Sequence, residues 1–200
     1  MANDDFFRWA GTAILVGTVV TSGFYRARAD RAGGKLPAKP EGLPATSIRV
    51  AIGFLVLAAL LLPIVAPSAA RWITVRLPFE VRLVGLGLAA AAWPLLWWTL
   101  ASIGTNISPS ISTRDRASLV THGPYRFVRH PLYTGGFLAL LGAGLCLQSV
   151  PLLLSLPFLI GWLPRRASQE EANLTAAHGE AYREYAGRTG RFIPQVFAKR

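Results

Sequence analysis

Two short stretches of this chain bring together side chains that can hold charge and bind ions. The first is 119–136, LVTHGPYRFVRHPLYTGG. Here His130-Pro131 heads an apolar run. Proline is favoured at the first helical position, because its missing N–H would be unpaired there anyway, so a helix is predicted to begin near Pro131. A helix start presents amide donors and a positive dipole end, which suit an anionic group. Tyr125, Phe127 and Tyr133 add aromatic faces that attract cations. Arg126 and Arg129 can pair with carboxylate or phosphate. Gly135 and Gly136 let a ligand or another helix approach closely. The second stretch is 164–194. Its periodicity predicts a helix over 166–186, which makes Arg166 and Glu170, four residues apart, neighbours on one face. Glu171, Tyr182 and Tyr185 are further candidates. Arg183, Glu184, Arg188 and Arg191 read as a solvated or headgroup-facing set.

Taken singly, each residue also has an ordinary structural use. Arg126 and Arg129 serve as plain cytoplasmic-side charges, His130 as a helix cap, and Gly135 and Gly136 as helix-packing positions. Arg166 and Glu170 could form a surface ion pair, which is worth little. Two features weigh against that last use. Arg before Glu is the weaker order for helix stabilisation. The pair also lies a few residues beyond Trp162 and Pro164, at the end of an apolar block, where charges often line a polar cavity.

The rest of the chain must position these two stretches. Of its 200 residues 52% are hydrophobic and only 16% charged, against about 25% charged in a soluble domain. The single Cys146 excludes a disulfide framework and a cysteine-based zinc cluster, and no metal site is expected. The 21 Lys and Arg exceed the 10 Asp and Glu, for a net +11. Such a charge suits nucleic acid or a membrane surface. A nucleic-acid binder interleaves its basic residues with a folded face. Here they fall between apolar blocks, and no nucleic-acid motif is present.

Segments 9–25, 50–70, 83–113 and 130–164 carry no charged residue, with histidine neutral. At about 20 residues per span, three spans are predicted at 9–25, 49–66 and 81–101. Asp4 and Asp5 precede Arg8, unlike the basic start of a signal peptide, so the first block reads as a retained span. Residues 30–47 are Gly/Pro-rich and read as a polar loop. The last block, 132–163, would make one helix of about 48 Å. Gln148, Ser149, Pro151 and Pro157 interrupt it, and two shorter helices joined by a turn near 148–151 are expected. Charge placement decides the point. With the N-terminus outside and a hairpin at 132–163, the segments 26–49, 102–131 and 164–200 lie inside and hold 17 of the 21 Lys and Arg. A single helix would split them 10 to 11. Trp9 and Trp72 on one side, and Trp93, Trp97, Trp98 and Trp162 toward the other, resemble interfacial belts.

The expected fold is therefore an all-α integral membrane protein of the cytoplasmic membrane. It has about five transmembrane helices, the last two a helical hairpin, and a cytosolic C-terminal helix. Residues 1–101 form three N-terminal spans, and 102–200 form the functional core. The loop 102–131 and the tail 164–200 face the same compartment.

The motifs Gly123-Pro124-Tyr125-Arg126, Arg129-His130-Pro131-Leu132-Tyr133-Thr134-Gly135, Arg166, Glu170-Glu171, Leu174, His178-Gly179-Glu180-Ala181-Tyr182, Tyr185 and Ile193-Pro194 together resemble the isoprenylcysteine carboxyl methyltransferase family. The related phospholipid N-methyltransferases are similar. The resemblance covers about 100–197. It implies an integral-membrane methyltransferase that uses S-adenosylmethionine (SAM), with a lipid-like or small hydrophobic acceptor entering from the bilayer. It implies that His130, Pro131, Tyr133 and Gly135 line the cofactor site. Glu171, Tyr182 and Tyr185 join them, and Tyr125 adds an aromatic face. Arg166 and Glu170 would sit at the methyl-transfer centre. His178 departs from the family, which often has Phe before the Gly. The acceptor stays open: a carboxylate would be oriented by Arg166, an amine would use Glu170 as base, and a thiol would need help to ionise. No obligate protein partner is inferred. Rival readings are an NADPH-dependent membrane reductase of similar helical architecture and a non-enzymatic scaffold or small transporter. No Gly-x-Gly-x-x-Gly fingerprint and no paired halves support them.

Overall fold

The computed structural model describes residues 2–33, 43–66, 70–104 and 118–195. The regular elements among the described residues are all helical, with irregular chain at 74–78, 118–122 and 127–130. Backbone pairing outside the helices is confined to two isolated bridges, Thr74 with Ser149 and Val128 with Gly190. The helices are α1 (Ala2–Gly33), α2 (Leu43–Val65), α3 (Phe79–Ile103), α4 (Pro131–Cys146), α5 (Val150–His178) and α6 (Glu180–Arg188). The three predicted N-terminal spans fall within α1, α2 and α3. Among the described residues, α3 is long and apolar enough to cross a membrane, and α4 is a shorter apolar helix.

Local chemistry accounts for the boundaries. Pro131 is the first residue of α4, as its lack of an N–H favours. The predicted interruption falls at 147–149, between α4 and α5. Pro151 lies in the first turn of α5, where proline costs no hydrogen bond. Two expectations are corrected. Residues 30–33 and 43–47 are helical rather than loop, because α1 and α2 run beyond their apolar cores; 34–42 of that loop, and 105–117 of the loop 102–131, lie outside the described residues. The tail helix expected over 166–186 is instead the end of one 29-residue helix, followed by a break and a short second helix. The break is at Gly179, with φ of 57°. An L side chain is strained at that angle, and glycine is not.

The chain forms two compact units. One contains 1–19, 42–94 and 136–160. Its core is Leu15, Ala59, Ala143 and Leu152, joined by Val56, Leu140 and Leu147. α3 and α4 touch there through small residues: a Cβ on Gly142 would meet the Ala89 backbone N at 2.4 Å and the Gly85 carbonyl at 2.7 Å. Small residues let backbones approach where lipid offers no hydrophobic drive between helices. The other unit contains 20–41, 95–135 and 161–200. It packs Ala29 and Leu100 with Tyr25, Ile103 and Leu132. Leu132 in that cluster anchors the first turn of α4, and so sets where His130 and Tyr133 stand.

Candidate active site

Every site residue expected from the sequence belongs to this second unit. The site begins with the connection into α4. A short 3-10 turn, Gly123–Arg126, buries Pro124 and Tyr125. The chain then runs beside the tail: the Arg129 amide donates to the Gly190 carbonyl at 2.7 Å, and the His130 amide to the Arg191 carbonyl at 3.1 Å. The Thr134 hydroxyl donates to the Phe192 carbonyl at 2.8 Å. The tail thus straps the start of α4.

Those contacts change the expected anion site. The Tyr133 and Thr134 amides both donate to the His130 carbonyl, at 3.1 and 3.2 Å, and Pro131 has no N–H. The helix start has spent most of its donors on the chain itself. Positive charge is supplied by side chains instead.

α5 brings the opposing residues. Arg166 is 8% exposed. Its Nε donates to Glu170 Oε1 at 3.1 Å and to the Tyr133 hydroxyl at 2.7 Å. The Tyr133 hydroxyl in turn donates to Glu170 Oε1. Arg166 also lies over the Trp162 ring, 5.3 Å from its centroid. The i, i+4 pair is therefore no surface ion pair; it closes a triangle with the first turn of α4. One residue on, Glu171 accepts from Arg129 Nε at 3.0 Å and from Arg191 Nε and Nη2 at 3.2 and 2.9 Å. His130, 7% exposed, faces both carboxylates. Its Nε2 is 3.1 Å from Glu171 Oε1 and its Nδ1 is 3.5 Å from Glu170 Oε2. The His130 and Tyr133 rings stack, 5.4 Å apart and nearly parallel.

The electrostatics follow from these partners. Burial pushes the Glu171 carboxyl up, but hydrogen bonds from His130 and Arg129 and the charge of Arg129 outweigh it and hold it down at about 2. Burial likewise opposes ionisation of Glu170. Hydrogen bonds from His130 and Tyr133 and the charge of Arg166 prevail, and its pKa is lowered. Burial raises the Tyr125 phenol and takes that of Tyr185 to about 12, so both are neutral. The Tyr185 hydroxyl donates to the Tyr125 carbonyl at 2.7 Å, and the Tyr182 ring packs edge-on to Tyr185. The Tyr182 hydroxyl is buried and has no hydrogen-bond partner among the described residues.

The structure brings His130, Tyr133, Arg166, Glu170 and Glu171 into one hydrogen-bonded cluster, with Pro131 buried beneath it. Tyr125, Tyr182 and Tyr185 form a tyrosine group joined to the same loop. Gly135 stands apart: a Cβ there would meet Leu96 Cδ2 at 2.8 Å, so its smallness serves the packing of α3 on α4. Two arginines take on more than the sequence decided. Arg129, for which carboxylate pairing and a plain cytoplasmic-side charge were both open, is bound to Glu171 and to the Ala186 and Thr189 carbonyls. Arg191, read as solvated, grips Glu171 and the Ser168 hydroxyl. Arg129 could have been suspected from its place beside His130-Pro131. Arg191 had no local signal, because its partners are 20 and 23 residues away.

This is a helical site built on a His-Pro helix start and an Arg/Glu helix face. The sequence pattern of the isoprenylcysteine carboxyl methyltransferase family matches residues 84–176. The fold is shared with the eukaryotic intramembrane Ras methyltransferase, isoprenylcysteine carboxyl methyltransferase, at a TM-score of 0.58 and 19% identity, covering 94% of this chain and 68% of that one. The chain is 36% identical over 121 residues to the cobalt-zinc-cadmium resistance protein CzcN of Cupriavidus metallidurans, covering 60% of this chain and 51% of that protein. It is 28% identical over 152 residues to the nickel-cobalt-cadmium resistance protein NccN of Alcaligenes xylosoxydans xylosoxydans, covering 76% and 67%. It is 37% identical over 79 residues to the protein-S-isoprenylcysteine O-methyltransferase of Schizosaccharomyces pombe, covering 39% and 34%. The chain thus spans about half the length of the first of these relatives and a third of the last. Residues 84–176, which hold the His-Pro motif and the Arg166/Glu170 pair, carry the pattern of the isoprenylcysteine carboxyl methyltransferase family.

Proposed function

We propose that this protein is an integral-membrane, SAM-dependent methyltransferase that esterifies a lipid-like or small hydrophobic carboxylate. The observation that carries the reading is the Arg166–Tyr133–Glu170 triangle, inside the segment that matches the family. The cofactor fits the residues present. Aromatic rings suit a ligand with a sulfonium, and the buried Tyr182 hydroxyl, without a hydrogen-bond partner among the described residues, offers a further donor. Tyr133, Glu171, Tyr125, Tyr182 and Tyr185 would hold it, with His130 and Pro131 shaping the surrounding wall. When bound, it supplies a methyl group activated by a sulfonium.

The protein's own task is alignment and exclusion of water. Arg166, anchored by Glu170 and by the Trp162 ring, keeps a buried guanidinium aimed at an anionic acceptor. Glu170 makes a poor general base, because its pKa is lowered and its oxygens already accept from Tyr133 and Arg166. An amine or thiol acceptor needs a proton removed, whereas a carboxylate does not. The site therefore favours a carboxylate over the other two acceptors.

In the same reading the chain crosses the membrane about five times. The N-terminus is outside, α4 and the apolar part of α5 form the last hairpin, and the polar end of α5 and α6 lie in the cytoplasm. Residues 1–101 then serve as three anchoring spans and 102–200 as the methyltransferase core.

The test is incubation of the purified protein with methyl-labelled SAM and a native lipid extract. A carboxyl ester releases labelled methanol in mild alkali, whereas N- and S-methyl products do not. Alkali-stable label would remove the carboxylate acceptor, and no label at all would remove the activity. Thermal stabilisation by NADPH instead of SAM would point to a reductase, and stabilisation by neither to a non-enzymatic protein.

A further inference from the structure

From the way both ring nitrogens of His130 meet carboxylates, we infer that His130 is held as an imidazolium and acts as a positioning residue, clamping Glu170 and Glu171 in the geometry of the site. A neutral imidazole has one N–H donor and one lone pair. Nε2 stands 3.1 Å from Glu171 Oε1 and Nδ1 stands 3.5 Å from Glu170 Oε2. When ionised, both partners can only accept. Each is kept ionised by other donors: Arg166 and Tyr133 on Glu170, Arg129 and Arg191 on Glu171. Either neutral tautomer would aim a lone pair at a carboxylate from a ring that is itself buried. The imidazolium donates to both.

The charged and titratable groups around the ring among the described residues come from four segments. Arg129 precedes it in the loop, Tyr133 stacks on it from α4, Arg166, Glu170 and Glu171 come from α5, and Arg191 comes from the tail. Phe192 covers another side, 5.7 Å away. The arginines oppose a further positive charge and the two carboxylates favour it. Burial also opposes the charge, yet the hydrogen bonds with Glu170 and Glu171 raise the pKa above its ordinary value.

The consequence reaches the chemistry through Glu170. The ring draws on Oε2, while Tyr133 and Arg166 hold Oε1. Loss of the imidazolium proton frees one carboxylate to turn and disturbs the Arg166 triangle without removing any residue that touches the acceptor. The site would then switch off as pH rises through the pKa of His130. This consequence rests on the methyltransferase reading; the protonation state does not.

The two are tested separately. The chain has three histidines, so imidazole 15N spectra of the detergent-solubilised protein contain three ring systems, and the one lost in His130→Gln is His130. The expected result is a doubly protonated ring that titrates above the ordinary value of 6.5. A ring that titrates at or below 6.5 overturns the inference, whether or not the protein methylates anything. The second measurement is kcat/KM against pH with the labelled acceptor. The wild type should lose activity on an alkaline limb that tracks the 15N titration. His130→Gln, which keeps one donor but not the charge, should be about ten- to a hundredfold slower and flat across that limb. A limb that persists unchanged in His130→Gln overturns the positioning role.

Discussion

Arg191 and Glu171 meet as a two-pronged ion pair: Arg191 Nη2 donates to Oε2 at 2.9 Å and Nε to Oε1 at 3.2 Å. The pair ties the tail beyond α6 to the middle of the polar end of α5. With Arg129 and His130 on the same carboxylate, Glu171 is the point where loop, helix and tail converge.

Arg191→Ala should therefore loosen the strap as well as remove a charge. Bidentate arginine contacts are among the stronger hydrogen bonds, and this one is partly solvated. The expected loss is about 1–3 kcal/mol. Limited proteolysis near 189–193 should speed up, while the far-ultraviolet helix signal stays unchanged. Proteolysis at the wild-type rate would show that the tail is held by its backbone contacts alone.

Glu171→Gln should cost more, because it leaves Arg129 and Arg191 facing a neutral amide. Breaking a buried ion pair by removing one partner costs about 3–5 kcal/mol, and partial exposure lowers the expectation to about 2–3 kcal/mol. The check is the thermal midpoint in detergent beside that of Glu180→Gln, whose pairing with Arg183 is exposed. Equal midpoints would refute the hub.

For catalysis, Arg166→Lys and Glu170→Gln are the informative changes. A lysine cannot donate through Nε to Glu170 and Tyr133 together with the geometry of a guanidinium. Each variant should lose about 10²- to 10³-fold in kcat, the scale of one preorganised electrostatic contact. Labelled-methyl turnover measures it, and wild-type rates in both would remove the triangle from the chemistry.

The acid side of the stability profile has a defined sign. Glu171 is held at about 2 and Glu170 is lowered from the ordinary 4.5. The folded state thus binds these two protons less readily than the unfolded chain. Their contribution is fully present above 4.5 and is lost as pH falls from there toward 2. His130, with its raised pKa, contributes below 6.5 and loses that contribution as pH rises through its folded value. Thermal midpoints should plateau between these windows and fall on both sides. Glu171→Gln should flatten the acid limb.

Two glycines six residues apart on α4 make a paired test of packing. A Cβ at Gly142 would meet the Ala89 and Gly85 backbone below 3 Å, whereas one at Gly136 meets nothing within 4 Å. Gly142→Ala should destabilise by about 1–3 kcal/mol through overpacking. Gly136→Ala should stabilise by up to about 1 kcal/mol, the helix-propensity difference. Thermal midpoints of the two variants should move in opposite directions.

Much of the fold and of the site was legible along the chain. The start of α4 at Pro131 and the Arg166/Glu170 adjacency follow from local rules, proline at a helix start and a spacing of four. The break at Gly179 was not foreseen, because the helical period continues across it and only the backbone angle shows the turn. The merging of the apolar block and the tail helix into α5 was also missed, since hydropathy changes at Arg165 while the backbone hydrogen bonding does not.

Residue types and spacing by themselves determined that apolar helices dominate and that titratable and hydrogen-bonding side chains gather at His130–Tyr133 and Arg166–Glu171. Only the tertiary structure decided which charges are paired. Arg129 and Arg191 look like Arg126 and Arg188 in the sequence, and burial against Glu171 is what separates them. That burial comes from the strap of 189–192 across the start of α4, a contact between segments some 60 residues apart. Periodicity describes neighbours within a helix. Pairing of a charge depends on what the rest of the chain lays over it.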